Sequence, residues 1–116
     1  MGEMDLRKRT KLFALSIIKF SELLPKTRAA DVLAKQLIRS ATSVGANYLA
    51  ARSGKSRADF ACKLKTSEEE IIESKYWLEL LIESEIAKQE HVKDILKEAN
   101  ELSAIFIASS KTIRTR

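Results

Sequence analysis

Turn-forming residues are scarce in this chain of 116 residues, which contains three glycines and one proline. Sheets built from short strands need turn residues about every dozen positions, and this sequence does not supply them. This scarcity therefore argues against β-hairpins and β-sandwiches. With 45% apolar and 32% charged residues, the composition indicates a single soluble, folded helical domain spanning residues 1–116.

Cysteine and histidine are rarer still, with one of each. A lone cysteine, Cys62, cannot form an internal disulfide and is typical of a reducing, cytoplasmic compartment. His91 has no Glu three residues before it, so the chain lacks the Glu-x-x-His pairs of a di-iron bundle. We expect Cys62 to be a small, partly buried core residue and His91 to be a surface or cap residue. The sequence thus predicts no catalytic residue, no metal site and no cofactor.

Two further patterns resemble ligand sites without meeting their requirements. The glutamates at 68, 69, 70 and 73 spread around a helix, so we expect a solvated face or ion pairs with Arg39 rather than a cation site. Residues 53–56 read Ser-Gly-Lys-Ser, the end of a phosphate-binding loop. The first glycine of that motif is replaced by Leu49 and no strand precedes it, so chance explains the match.

Long apolar runs are also absent. The apolar stretch 12–18 ends at Lys19, far short of the roughly 18 residues that span a bilayer. No small-x-small cleavage site follows it, which argues against a secretory signal peptide. We therefore expect a cytoplasmic protein that makes no membrane contact.

The sequence does contain a helical repeat, in which apolar and small residues recur at alternating spacings of three and four. Pro25 ends the first segment, Thr27 is placed to cap the second, and Ser56 with Asp59 resembles a capping box for the third. The polar stretch 83–90 gives a weaker break. The predicted helices run approximately over 5–24, 28–52, 57–84 and 89–112. Short connections make neighbouring helices antiparallel, which predicts an all-α, up-down-up-down four-helix bundle.

This topology concentrates the net charge of +5 at one end of the bundle. Residues 1–16, 45–67 and 103–116 carry twelve basic and three acidic side chains, and the other residues carry more acids than bases. A basic cluster of this kind can bind nucleic acid, because it neutralises phosphates and releases their counterions. The alternative is that these residues are solvated helix ends without a ligand. The candidate nucleic-acid-binding residues are Arg7, Lys8, Arg9, Lys11, Arg52, Lys55, Arg57, Lys63, Lys65, Lys111 and Arg114.

Apolar side chains between positions 76 and 82 point in nearly every direction around the third helix, more than packing inside one bundle requires. Part of this surface is therefore predicted to be buried against another subunit. Stacking of an aromatic ring on nucleic-acid bases is the alternative. The candidate interface residues are Tyr76, Trp77, Leu80 and Leu81.

Three motifs, Ser-Val-Gly-Ala-Asn-Tyr at 43–48, Ser-Arg-Ala-Asp-Phe at 56–60 and Tyr-Trp-Leu-Glu-Leu-Leu at 76–81, carry a family resemblance. Over roughly residues 8–114 the chain resembles the bacterial four helix bundle protein family, known from intervening sequences of large-subunit ribosomal RNA genes. The resemblance implies a cytosolic, ring-shaped homopentamer without known catalytic activity. A related branch is the accessory variability protein of diversity-generating retroelements, which works with a reverse transcriptase and nucleic acid through a basic surface.

One position departs from the family pattern. Relatives usually place a Glu shortly after the tyrosine of the first motif, where this chain has Ala50, so any role of that Glu is absent or relocated. Asn47 matches, and a buried Asn on the second helix would select the packing register.

Taken together, these patterns favour a non-enzymatic, oligomeric bundle that binds RNA or DNA, or docks a nucleic-acid-handling partner such as a reverse transcriptase. A protein–protein scaffold without nucleic-acid binding is the alternative.

Overall fold

Residues 6–115 are described by a computed structural model, which gives side chains as far as residue 113. Over this range the chain forms four helices and no strand: α1 (Leu6–Ser21), α2 (Arg28–Arg52), α3 (Arg57–Glu83) and α4 (Gln89–Thr115). Each helix packs against two neighbours, and within residues 6–115 no Cα atoms of the diagonal pairs α1/α3 and α2/α4 come within 8 Å of each other. The predicted four-helix bundle is confirmed, with extents of 46 × 24 × 21 Å.

Side-chain caps begin two of the helices as the sequence predicts. The Thr27 hydroxyl accepts a hydrogen bond of 3.2 Å from the Ala30 N–H, and the Ser56 hydroxyl accepts one of 3.0 Å from the Asp59 N–H. Such caps satisfy backbone donors that have no partner inside the helix.

Helix α1 ends three residues before its expected terminus at 24. The N–H groups of residues 22–24 donate to carbonyls three residues back, which forms tighter turns than an α-helix. The following Pro25 accounts for this, because the residue before a proline disfavours helical geometry.

The turn between α3 and α4 closes without glycine. Glu85 takes a left-handed conformation with φ of 65°, the role that glycine usually plays at a helix end. The Ala87 N–H then donates to the Leu81 carbonyl at 2.9 Å. This non-glycine terminus explains why the break is poorly marked in the sequence.

A single apolar core runs along the bundle. Its largest fully buried side chains come from all four helices and include Phe13, Ile17, Leu37, Ile71, Leu78, Leu81, Leu102 and Phe106. Among the described residues, no helix combines the length and apolar character needed to span a bilayer.

Small hydroxyl residues join α2 to α3, the most extensive helix pairing in the bundle. The hydroxyls of Ser40 and Ser74, both fully buried, are hydrogen-bonded at 2.8 Å. The Ser67 hydroxyl donates across the seam to the Val44 carbonyl at 2.9 Å. These bonds satisfy the buried hydroxyls while their small size lets the two helices approach closely.

Candidate nucleic-acid interface

The antiparallel order brings the start of α1, the α2–α3 turn and the end of α4 to one end of the bundle, called here the basic pole. The turn over residues 53–56 is compact: the Gly54 N–H donates to the Ala51 carbonyl at 3.0 Å. A Cβ on Gly54 would lie 2.9 Å from both that carbonyl oxygen and Asp59 Oδ2, so the turn has no room for a side chain. The exposed cations Arg52, Lys55 and Arg57 flank this turn.

A groove of about 800 Å³ lies between α1 and α2 at the basic pole. Four exposed cations line it, and among the described residues no carboxylate does: Arg7, Lys8, Lys11 and Arg52. Its remaining lining residues are small or apolar, among them Gly45, Ala46 and Leu49. We call this feature the α1–α2 groove. It offers concentrated positive charge on an accessible, partly apolar surface.

Tyr48 positions Arg52, the cation that α2 contributes to this groove. The Arg52 guanidinium lies 6.0 Å from the centre of the Tyr48 ring and donates a hydrogen bond of 3.4 Å to its hydroxyl. The ring itself is buried edge-on against Phe106, with 6.0 Å between ring centres. A cation above an aromatic face is held electrostatically, so Arg52 is orientated by the core while its charge stays in solvent.

Arg9, another of the predicted cations, is paired with carboxylates of α4. Its guanidinium donates two hydrogen bonds to Glu98, at 2.7 and 3.0 Å, and a third to Glu101 at 2.9 Å. The hydrogen bond to Glu98 raises the pKa of Arg9. Arg9 therefore joins α1 to α4 and contributes little free positive charge to the pole.

Two more predicted cations are partly neutralised within α3. Lys63 lies 3.4 Å from Asp59, and Lys65 lies 3.2 Å from Glu68. Lys111 on α4 is exposed, and the side chain of Arg114 lies outside the described part of the chain.

The opposite end of the bundle has mixed charge. A shallower depression of about 650 Å³ there is lined by Lys93 and Lys97 together with Glu90 and Glu101. Because cations and carboxylates alternate there, the net electrostatic field is small, and this is the main electrostatic difference from the α1–α2 groove.

The predicted interface residues on α3 fall into different environments. Leu81 is fully buried within the bundle, so its assignment to an intersubunit surface is wrong. Trp77 is half-buried and its Nε1–H donates to Glu73 at 2.9 Å. Tyr76 remains 54% exposed and packs edge-on against Trp77, while Leu80 is half-buried.

A second exposed apolar surface was missed at the sequence level. Leu12, Leu15 and Ile18 lie on the side of α1 opposite its buried residues and are 51%, 48% and 42% exposed. We call these three residues the α1 outer stripe. The available signal was the apolar run 12–18, which covers more of the helix circumference than core packing needs.

Three other expectations require correction. Cys62 is exposed rather than part of the core. Asn47 is half-buried and donates to the Ser43 carbonyl of its own helix at 2.9 Å, so it does not bond across to another helix. Glu68 is buried, not solvated, because it lies on the α3 side that packs in the bundle.

Other small-site predictions can be compared directly with the structure. Arg39 pairs with Glu70 and Glu73, as expected from the acidic run. His91 is exposed at the start of α4. Within residues 6–115 no three His, Cys, Asp or Glu side chains are grouped as metal ligands would be.

Comparison with known proteins gives the chain its family. The model of the 23S rRNA-intervening sequence protein family matches residues 2–108, nearly the whole chain. The chain belongs to this family. No curated protein matches it.

A solved structure supports the same assignment. The crystal structure of a protein of unknown function from the S23 ribosomal protein family of Bacteroides thetaiotaomicron is 35% identical to the chain. The match has a TM-score of 0.83 and covers 90% of this chain and 97% of the other. The family resemblance found in the three motifs is thereby confirmed.

Proposed function

We propose that this intervening-sequence family member is a non-enzymatic, cytoplasmic, oligomeric bundle that binds nucleic acid, or a nucleic-acid-handling partner such as a reverse transcriptase, through its basic pole. The observation that carries the proposal is the α1–α2 groove, which four exposed cations line and no carboxylate of the described residues does. Phosphate contacts of this kind give affinity that does not depend on base sequence.

The decisive experiment compares two double variants by titrating labelled RNA and DNA at several salt concentrations. Arg7→Glu with Arg52→Glu removes cations from the groove, and Lys93→Glu with Lys97→Glu changes the same charge at the opposite end. We expect the groove variant to weaken binding to all sequences and to reduce the salt slope by about 1.5 to 2.

The control variant should bind nearly as the unmodified protein does. Equal weakening by both variants would mean that binding follows net charge and not the basic pole. An absence of binding to any nucleic acid at low salt would leave a scaffold for protein partners as the function.

The proposal also includes self-association, supported by two apolar surfaces on opposite sides of the bundle. The α1 outer stripe lies on one side, and Ile72, Tyr76 and Leu80 form an outward line on α3, called here the α3 outer stripe. Because α1 and α3 are diagonal helices, neither stripe covers the other within one molecule. A surface on each of two opposite sides suits head-to-tail association, which forms a ring when the rotation between successive copies closes.

The charges beside the two stripes are complementary. Exposed Lys19 lies on the outward side of α1, away from the α1–α2 groove, while exposed Glu69, Glu79 and Glu83 lie near the α3 outer stripe. Opposite charges around apolar contacts favour the pairing of unlike surfaces and oppose the pairing of like ones. We therefore propose that α1 of one copy contacts α3 of the next, and the ring is the homopentamer that the family resemblance implies.

Mass measurement on single and mixed variants tests this arrangement. Leu15→Glu and Tyr76→Glu should each convert the assembly to monomers of 13.1 kDa. A mixture of the two variants retains one intact pair of stripes and should form heterodimers. Dimers in either single variant would indicate pairing of identical surfaces instead, and a monomeric unmodified protein would contradict self-association.

A further inference from the structure

The α1–α2 groove holds an exposed leucine among its cations. Leu49 is 52% exposed on the groove surface, next to Ala46 and one helical turn before Arg52. Phosphate groups bound to the four cations would leave the Leu49 side chain exposed to water. A ligand that carries both phosphate and an apolar ring would cover both parts.

The groove has a backbone-lined base because α1 and α2 approach closely there. A Cβ added to Gly45 would lie 3.0 Å from Thr10 Oγ1 and 3.3 Å from Thr10 Cβ. Thr10 itself is buried and its hydroxyl donates to the Arg7 carbonyl at 3.1 Å. The absence of a side chain at Gly45 therefore keeps the helices together and leaves the groove open above them.

Building on the proposed nucleic-acid binding, we propose that the α1–α2 groove selects single strands over duplexes. The phosphates contact Arg7, Lys11 and Arg52, and an unpaired base lies against Leu49. A volume of about 800 Å³ is within the range in which proteins hold one small ligand, so the groove takes one or two nucleotides of the strand.

A duplex cannot use this surface in the same way. Its bases are stacked and paired, so they are not available to enter a groove between helices, whereas unpaired bases are. Duplex DNA has the higher charge density, and charge alone would therefore favour the duplex. A preference for the single strand that is lost in Leu49→Ser therefore reports the apolar contact.

The test measures fluorescence anisotropy of a labelled 20-nucleotide oligo(dT), a 20-nucleotide oligo(U) and a 20-base-pair DNA duplex at equal salt. We expect the single strands to bind at least about threefold more tightly than the duplex. Leu49→Ser should weaken single-strand binding by about threefold to tenfold and leave duplex binding unchanged. Leu23→Ser is the matched control, since Leu23 is 62% exposed in the turn after α1 at the other end of the bundle.

The outcomes separate this inference from the function on which it rests. Equal single-strand and duplex affinities, unaffected by Leu49→Ser, would overturn the selection while leaving phosphate binding intact. No binding of any of the three probes at low salt would overturn both. Equal weakening by Leu49→Ser and Leu23→Ser would also contradict a base contact in the groove, and thermal melting of both variants verifies that they remain folded.

Discussion

The α2–α3 seam and the α1–α4 seam hold the same bundle together by different chemistry. Between α2 and α3, the small buried side chains of Ser40, Ser67 and Ser74 form hydrogen bonds over a long contact. Between α1 and α4 the contact is less extensive, and Arg9 spans its rim to two glutamates. Helix α1 has 16 residues, compared with 27 in α4, which limits the surface they share.

These two seams differ in how well the sequence predicts them. A buried serine at helical spacing identifies a close helix seam, because a small side chain is needed on the core side wherever backbones approach. A rim ion pair depends on the rotation of α1 relative to α4, and its partners stand 89 and 92 positions apart in the chain. No local pattern records that rotation.

The largest expected effect removes the apolar anchor of α1. Phe13 is 2% exposed, and Phe13→Ala should lower the free energy of unfolding by about 3 to 5 kcal/mol, because it leaves a large cavity. Urea unfolding followed by circular dichroism measures this loss. With Leu23→Ala as the exposed control, a loss below about 1 kcal/mol for Phe13→Ala would show that α1 is dispensable to the core.

An intermediate effect is expected at the α2–α3 seam. Ser67→Val adds volume where the helices approach closely and should cost about 1 to 3 kcal/mol. Ser67→Ala removes only the hydrogen bond to the Val44 carbonyl and should cost about 1 kcal/mol. Denaturant midpoints of the two variants give the order, and a more stable Ser67→Val protein would mean that the seam is loosely packed.

A smaller effect is expected at the α1–α4 rim. Arg9→Met keeps the aliphatic packing but removes the charge, and should cost about 0.5 to 1 kcal/mol at low salt. Because salt screens such pairs, thermal unfolding in low and high salt should show the difference from the unmodified protein shrinking. A difference that is independent of salt would assign the effect to packing.

The smallest effect concerns pH at Glu70, on the α2–α3 side of the bundle. Burial raises the pKa of Glu70, with the nearby Arg39 opposing that rise. A carboxyl whose pKa is raised by folding favours the folded state when protonated, and this advantage is lost as pH rises through the folded pKa. We expect Glu70→Gln to melt at an increasingly higher temperature than the unmodified protein as pH rises from about 4 to 7, starting near the ordinary glutamate pKa of 4.5.

Helix periodicity predicted most of the core. Helical spacing along the first segment selects six residues: Leu6, Thr10, Phe13, Ile17, Phe20 and Leu24. The first five are buried in α1, and Leu24, beyond the end of the helix, is half-buried. The spacing along α4 predicted less, because Ser103 and Ser110 are also buried although they lie outside its repeat of Val92, Ile95, Ala99, Leu102, Phe106, Ser109 and Ile113. Because α4 packs between two neighbouring helices, it buries a wider part of its circumference than a single line of regularly spaced residues covers.

The candidate site was predicted only in outline. Topology correctly brings Arg7 and Arg52 to one groove, because the start of α1 meets the end of α2. The same argument placed Arg9, two residues further along α1, at the basic pole without revealing that its side chain pairs with α4. Which cation stays free depends on helix rotation, and Gly45 gave the one local clue to a close α1–α2 approach.

The exposed thiol of Cys62 offers a practical handle for measuring assembly. It is the chain's one cysteine and stands on α3, the helix that carries the α3 outer stripe. Maleimide dyes would therefore attach at a single defined position without any engineered residue. Energy transfer between donor-labelled and acceptor-labelled copies would then report subunit exchange in real time and the spacing between neighbouring copies.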